Sequence, residues 1–337
     1  MISADGPLSP TEFNDRFPWW GGDMQTLRNQ FLPGPEHLGG DTTQVLIPLS
    51  DESNDRLVAY LDTPPVSVAG PLIVLIHGLT GCSESTYIRE SARFHIARGR
   101  RVCRLNLRGA GVSRTTCRSY YHAGCADDIS DALSGLAAVV PADGVFIVGY
   151  SLGGNILLNL LARPCDHLGI IGGATVSAPI EPLQAAQRLM HTRNFLYQRF
   201  LLRRMKRDVL HPHAGLSPNE AAVFRRSRSV YEFDDVFTAP RNGFDGVEDY
   251  YRRTAGIRHA PNVGVPLLMI HASNDPWIPA EPYRQLSGNP NSHLETVLVR
   301  SGGHVGFHGA DSKEAWHDRR IEAFLAPLRH TTVERSL

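Results

Sequence analysis

A serine between glycines, in Gly149-Tyr150-Ser151-Leu152-Gly153, has the residue types best suited to nucleophilic chemistry in this chain. An apolar, strand-like segment precedes it and a helix-forming segment follows, which is the setting of a nucleophilic serine on a sharp strand-to-helix turn. The two glycines remove side chains that would clash in such a turn. The sequence therefore predicts that Ser151 attacks a carbonyl carbon, with the free N–H groups of the following helix directed at the reacting centre.

A serine hydroxyl needs a base beside it to act at neutral pH, and the base needs a carboxylate to orient it. Asp275 follows the apolar segment 266–271, and His304 lies among glycines after the apolar segment 295–299. Both residues lie just past a predicted strand, in the order serine, acid, histidine that accompanies such turns. We predict that His304 accepts the proton of Ser151 and that Asp275 orients the imidazole.

The oxyanion formed by such an attack requires backbone N–H donors placed in advance. One predicted donor is Leu152, the residue after the nucleophile. The other is expected from His77-Gly78-Leu79, which follows the apolar segment 72–76, and by position we assign it to Leu79. The alternative for His77-Gly78 is that it only closes a tight turn.

Short apolar segments rich in Val, Ile and Leu predict strands that are buried on both faces. They cover residues 57–61, 72–76, 102–107, 145–150, 170–176, 267–271 and 296–299. Helix-length segments alternate with them at 87–98, 128–140 and 152–163, which indicates a mostly parallel sheet flanked by helices. No strand pattern appears in residues 179–266, where 194–210 has apolar residues at helical spacing behind Asn194 as its N-cap.

We therefore predict an α/β fold in three parts. Residues 51–178 and 266–330 form the core, residues 179–265 form a helical cap inserted between late strands, and residues 1–50 form an N-terminal extension packed on the core. The first thirty residues lack a continuous apolar run, and no apolar stretch is long enough to span a bilayer. Five cysteines without a Cys-x-x-Cys pair fit reduced thiols. These features predict a cytoplasmic protein without a signal peptide or an integral membrane segment.

The charges balance, with 34 basic and 34 acidic residues, and so indicate no nucleic-acid partner. Residues 188–228 are an exception, because they hold nine arginines and one lysine against Asp208 and Glu220. This stretch either meets an anionic lipid or an acidic substrate, or is a solvated helix face whose charge is balanced elsewhere. We favour the solvated face.

Neither a cofactor nor a metal is predicted. His211-Pro212-His213 lacks a third ligand, and the glycines near Gly109 fail as a dinucleotide fingerprint because Arg114 stands where the third glycine belongs. His122 and Asp128 follow a predicted strand, and for these we favour a structural role.

Taken together, several motifs resemble the α/β-hydrolase superfamily: His77-Gly78, Asn106-Leu107-Arg108-Gly109, Gly149-x-Ser151-x-Gly153, Asp275 and His304. Residues 23–27, 121–124 with 127–128, and 233–235 are similar to its YheT-like branch of predicted esterases and lipases. The resemblance implies hydrolysis of carboxylic esters without a cofactor, with the cap shaping the substrate site.

We expect a serine hydrolase that cleaves small-molecule esters of short- to medium-chain acids, lipid esters included, through an acyl-enzyme on Ser151. The alternatives are a thioesterase or acyltransferase with the same triad, and a non-catalytic binding protein on the same scaffold. Peripheral contact with lipid and the oligomeric state stay open.

Overall fold

The structure is a computed structural model that describes residues 13–286 and 288–334. Its centre is one eight-stranded sheet with the strand order β1-β2-β4-β3-β5-β6-β7-β8. The strands are Asp41–Pro48 (β1), Arg56–Thr63 (β2), Leu72–Ile76 (β3), Val102–Leu105 (β4), Val145–Tyr150 (β5), Ile170–Val176 (β6), Leu267–Ala272 (β7) and Leu294–Val299 (β8). The pairs from β4 through β3 to β8 are parallel, whereas β1–β2 and β2–β4 are antiparallel.

The predicted mostly parallel sheet is confirmed, and helices cover both of its faces. The helices of the described residues are Gly21–Phe31 (α1), Thr86–Ile96 (α2), Ala126–Gly135 (α3), Leu152–Leu161 (α4), Pro182–Met190 (α5), Phe195–Val209 (α6), Pro218–Arg226 (α7), Val230–Phe233 (α8), Ala239–Arg241 (α9), Val247–Thr254 (α10), Gly256–His259 (α11), Glu281–Leu286 (α12) and Trp316–Glu334 (α13). Alternate residues of β3 enter opposite cores, because successive strand side chains point to opposite faces. Leu72 and Val74 pack with α3 and α4, and Ile73 and Leu75 pack with α2 and α13.

Strand β1 was not predicted, because its first four residues, Asp41-Thr-Thr-Gln, are polar and exposed at the edge of the sheet. Residues 41–48 of the predicted N-terminal extension thus form part of the main sheet, paired along their length with β2. Residues 1–12 of that extension lie outside the described residues. The predicted strand at 102–107 ends earlier, at Leu105, where the chain turns into a loop.

Residues 177–266, all of which are described, contain helices and turns but no strand. Helix α6 matches the predicted helix, and Asn194 occupies the predicted N-cap position, but its side chain does not cap the helix. The amide of Asn194 donates instead to the carbonyl oxygens of Arg188 and Pro276, which ties this helical region to the loop after β7. Helix α8 continues through a π-helical turn, Asp234–Thr238, into α9.

Among the described residues, none of the helices combines the length and apolar character needed to cross a membrane. All five cysteines are free thiols.

Candidate active site

Ser151 lies on the turn between β5 and α4. Its backbone angles, φ 50° and ψ −122°, are seldom adopted by residues other than glycine. The turn is crowded by neighbouring backbone. A Cβ atom at Gly149 would lie 2.5 Å from the carbonyl oxygen of Gly153, and one at Gly153 would lie 2.5 Å from that of Ile76. Both glycines are therefore required by close approach, and the tight turn lifts the Ser151 side chain clear of the sheet edge.

The structure brings the three residues of the predicted triad together. His304 Nε2 lies 2.9 Å from Ser151 Oγ, and His304 Nδ1 lies 2.8 Å from Asp275 Oδ2. Because a carboxylate can only accept, Nδ1 carries the proton and Nε2 is the atom free to accept the serine proton. This arrangement can generate a serine nucleophile.

The carboxylate of Asp275 is completely buried and held by a second set of hydrogen bonds. Its Oδ1 accepts from the backbone N–H groups of Trp277 at 2.8 Å and Ile278 at 3.0 Å. Burial by itself raises the pKa of a carboxyl, but the adjacent His304 and these donors hold the pKa of Asp275 below its ordinary value. The group therefore stays ionised and can stabilise an imidazolium.

Leu79 and Leu152, which are predicted to supply the oxyanion donors, line the same cavity as Ser151. Within the described part of the chain, the N–H groups of Leu79 and Leu152 have no acceptor. Their neighbours are occupied, since the N–H groups of Gly78 and Thr80 donate to the hydroxyls of Tyr87 and Tyr121. The loop after β3 lies close to the nucleophile, because a Cβ atom at Gly78 would be 2.7 Å from the Cβ atom of Ser151.

His77 fixes the backbone of this loop. Its Nδ1 bonds the carbonyl oxygen of Gly78 at 2.8 Å, and its Nε2 accepts from the N–H of Leu107 at 3.1 Å. Burial lowers the pKa of His77 to about 4, so the ring is neutral and keeps one donor and one acceptor. His77 therefore does more than close a turn.

Backbone strain is concentrated around this site. Among the described residues, five of the six non-glycine residues with positive φ belong to the site or its loops: Thr80, Ser151, Ser177, Val305 and Phe307. Each costs on the order of 1–3 kcal/mol and persists only where the surroundings hold it in place. Ser177 is one such support, because its Oγ accepts from the N–H of Val305, next to His304.

Helix α1 supplies the contacts that hold the His304 loop, and sequence reasoning missed this role. The Oγ1 of Thr26 accepts from the backbone N–H of His304 at 2.8 Å. Gln25 is fully buried and bonds both the N–H and the carbonyl oxygen of His308, and Asn29 donates to the carbonyl oxygen of Val305. The segment 23–27 stood out in the sequence only as a motif, because contacts across some 280 residues leave no local pattern.

Glycines allow α1 to touch both loops of the triad. A Cβ at Gly22 would lie 2.0 Å from the carbonyl oxygen of Asn274, and one at Gly303 would lie 2.4 Å from that of Gly22. The side chain of Asn274 also accepts from the N–H of Gly303 at 3.0 Å. The acid loop, the histidine loop and α1 therefore form one packed unit.

Two cavities meet at Ser151. The first encloses about 740 Å³, part of it open to solvent, and is mainly apolar. Its apolar lining from the helical region between β6 and β7 is Pro182, Ala185, Ala186, Leu189, Leu201, Met205 and Val230. The second encloses about 910 Å³, is more polar, and is lined by His304 as well as Ser151.

One carboxyl, that of Asp234, lines the apolar cavity from the π-helical turn. Its oxygens accept from the hydroxyls of Thr238 at 2.6 Å and Tyr251 at 2.7 Å. Burial raises the pKa of Asp234 to about 6, because these two hydrogen bonds offset only part of the cost of ionising it. This carboxyl is therefore neutral below about pH 6.

The remaining candidate residues, His122 and Asp128, form their hydrogen bonds with residues outside the triad. Asp128 accepts two hydrogen bonds from Arg108, at 2.5 and 3.0 Å. His122 Nδ1 accepts from the N–H of Gly124 at 3.1 Å, and burial lowers the pKa of His122 to about 4. Within the described residues, no group of three or more His, Cys, Asp or Glu side chains could hold a metal ion.

Known proteins resemble this chain in both sequence and fold. Residues 71–311 match the family model described as alpha/beta hydrolase fold. The chain is 30% identical over 276 residues to a putative esterase, YheT, of Escherichia coli, covering 80% of each protein. It is 28% identical over 267 residues to a monoacylglycerol lipase of Saccharomyces cerevisiae, covering 76% of this chain and 59% of the yeast protein.

A solved structure agrees with the fold. The esterase Pf2001 of Pyrococcus furiosus superposes with a TM-score of 0.58, covering 88% of this chain and 97% of that chain. The identity is 16%, so this likeness concerns the fold alone.

Replacing Thr26 by Val should slow the reaction of Ser151 with a fluorophosphonate probe roughly tenfold, because a small displacement of a positioned base is costly. Valine keeps the shape of threonine but removes the acceptor for the His304 N–H. Thr26→Ser keeps that acceptor and should label near the wild-type rate. Equal labelling of all three proteins, with equal unfolding midpoints, would contradict the positioning role of Thr26.

Replacing Asp234 by Asn should reduce the pH dependence of stability. The folded-state pKa, about 6, exceeds the ordinary 3.8, so the folded protein retains a proton that the unfolded chain releases between these values. The contribution to the free energy of unfolding is therefore present below about pH 4 and lost as the pH rises through 6. Urea unfolding from pH 4 to 7 should show a fall that is roughly 1–3 kcal/mol smaller in the variant.

The exposed neighbour Asp235 provides the control for this experiment. Asp235→Asn should keep the wild-type pH dependence. An unchanged fall in Asp234→Asn would mean that the buried carboxyl does not hold its proton in the folded state.

Proposed function

This chain belongs to the α/β-hydrolase fold family, and on this basis we propose that it hydrolyses carboxylic esters through an acyl-enzyme on Ser151. The observation that carries the proposal is the continuous hydrogen-bonded series of Ser151, His304 and buried Asp275. The named functions of the E. coli and yeast relatives, an esterase and a lipase, support ester chemistry. The chain spans 59% of the length of the yeast protein.

In the first step, Ser151 Oγ attacks the ester carbonyl carbon as its proton passes to His304 Nε2. The N–H groups of Leu79 and Leu152 stabilise the negative charge that develops on the carbonyl oxygen. The bond to the alcohol oxygen then breaks, and that oxygen takes the proton from His304 Nε2. The products of this step are a free alcohol and an acyl group on Ser151.

In the second step, water attacks the acyl carbon while giving one proton to His304. The bond to Ser151 Oγ breaks, and the proton returns to Ser151 as the carboxylic acid leaves. Asp275 remains ionised throughout and stabilises the imidazolium that forms in each step. The net reaction consumes one ester and one water and requires no cofactor or metal.

The position of His304 supports an assignment of the two cavities. The departing alcohol oxygen takes its proton from His304, so the alcohol half must lie on the side of this residue. His304 lines the polar cavity. We therefore assign the acyl chain to the apolar cavity, which Leu152 also lines, and the alcohol to the polar cavity.

The apolar cavity suits the short- to medium-chain acyl groups of small esters, and lipid esters are among these. Much of its wall comes from α5 and α6, within the proposed cap of residues 179–265. We propose that this cap and the core of residues 51–178 and 266–330 enclose the acyl group between them. The five free thiols support the expected cytoplasmic setting, where cysteines stay reduced.

Hydrolysis of p-nitrophenyl esters from acetate to palmitate provides the direct test. Wild type should show an optimum at short to medium chain length, and Ser151→Ala should lose activity by several orders of magnitude. Activity retained in Ser151→Ala would overturn the acyl-enzyme. Inactivity on every ester, with Ser151 still labelled by a fluorophosphonate, would favour a thioesterase or acyltransferase, and failure to label would favour a binding protein.

Replacing Ala186 by Phe should shorten the preferred acyl chain. Ala186 is buried on α5 and lines the apolar cavity, so an aromatic ring there removes space for the chain. Rates with the longest accepted esters should fall roughly tenfold or more, since a pocket distinguishes single methylenes by such factors. Gln187→Phe, on the exposed side of the same helix, should keep the wild-type profile. A uniform loss at all chain lengths would contradict the assignment of this cavity to the acyl group.

A further inference from the structure

Apart from the triad histidine, His304, the polar cavity beside Ser151 is lined by one acidic and one basic side chain. These are Glu84 and Arg204. Glu84 is already neutralised, because it forms ion pairs at 2.5 Å with both Arg89 and Arg104. Arg204 is different. It forms no ion pair with any carboxylate of the described residues, so the cavity has one cation whose charge is not balanced by contact.

The guanidinium of Arg204 also lacks strong hydrogen bonds. Its Nη1 reaches Gln30 Oε1 at 3.5 Å, and its Nε is buried without a partner. The group lies over the ring of Phe200, 5.3 Å from the ring centre, which sets its direction without using its donors. An arginine fork of this kind has donors to spare for a ligand.

A smaller neighbouring cavity adds to the positive charge. It shares Thr80, Gly81, Cys82 and Arg204 with the polar cavity, and its other charged lining comprises Arg114, Arg207 and Asp208. Asp208 pairs with Arg207 at 3.2 Å and also interacts electrostatically with Arg204 and Arg114, so that one carboxylate faces three arginines. The electrostatic potential in a cleft lined mainly by charges of one sign attracts a ligand of the opposite charge.

Resting on the proposed ester hydrolysis, we propose that the alcohol half of the substrate carries an anionic group, a phosphate or a carboxylate, bound by Arg204. The alcohol is the half concerned because Arg204 and His304 line the same cavity. A guanidinium pairs with two oxygens of such a group at once, which gives direction as well as attraction. Ser151, His304 and Arg204 then recognise the carbonyl, the leaving oxygen and the anion in one substrate.

The solvated helix face favoured by the sequence describes part of the basic stretch on α6. Arg199 and Arg203 on α6 are exposed, as a solvated face requires. Arg204 follows directly in the chain but is half-buried and lines two cavities. The helical rotation between adjacent residues separates the two roles.

The test compares two octanoyl esters with the same acyl chain, 1-octanoylglycerol and 1-octanoylglycerol 3-phosphate, at one ionic strength. Wild type should show a kcat/KM for the phosphate ester that is roughly tenfold or more above that for the neutral ester. Arg204→Gln should lose this preference, so that within this variant the kcat/KM for the phosphate ester falls to that for the neutral ester. Arg203→Gln, which removes the same charge from the exposed neighbour, should keep the preference. The octanoyl ester of glyceric acid distinguishes a carboxylate from a phosphate.

A second measurement does not depend on turnover. Glycerol 3-phosphate, but not glycerol, should slow the labelling of Ser151 by a fluorophosphonate in wild type and in Arg203→Gln, and Arg204→Gln should abolish this protection. Equal kcat/KM for the charged and neutral esters, or equal losses in Arg203→Gln and Arg204→Gln, would overturn the anion site. Protection without hydrolysis of any ester would uphold the anion site and refute the proposed function instead.

Discussion

At 2.9 Å, the hydrogen bond between His304 Nε2 and Ser151 Oγ requires two loops 153 residues apart in the chain to meet with little error in position. The parallel sheet satisfies the coarse part of this constraint, because the carboxyl ends of its strands open on one edge, where ligands bind in open α/β sheets. Strand β5 presents Ser151 there, β7 presents Asp275 and β8 leads to His304. The remaining precision must come from the loops and their supports.

Those supports are concentrated where the backbone is strained. Ser177, Val305 and Phe307 have positive φ, and each lies in or beside the histidine loop. Helix α1 compensates by bonding three residues of that loop through Gln25, Thr26 and Asn29. A segment near one end of the chain thus stabilises a loop near the other, so strain at the site is held by tertiary contacts rather than by local sequence.

The two cavities that meet at Ser151 differ in polarity. On one side, apolar residues of α5 and α6 surround a single carboxyl, Asp234, whose pKa burial raises to about 6. On the other side, Arg204 lines a polar cavity that also contains His304. Helix α6 contributes to both sides, since Met205 lines the apolar cavity and Arg204 lines the polar one. With the cavities assigned as proposed, the helical region between β6 and β7 influences acyl and alcohol preference together.

The sequence by itself determined the parallel core, the turn at Ser151 and the choice of Asp275 and His304, because buried strands and glycine-flanked turns leave patterns over a few residues. It did not reveal β1, whose exposed polar half resembles a loop. Nor did it reveal that the side chain of Asn194, at the N-cap position of α6, bonds to Pro276 across the fold instead of capping the helix. Only the tertiary structure decided what α1 does and which arginine of α6 faces a cavity. Both depend on contacts between segments far apart in the chain, and such contacts have no period or spacing that a sequence displays.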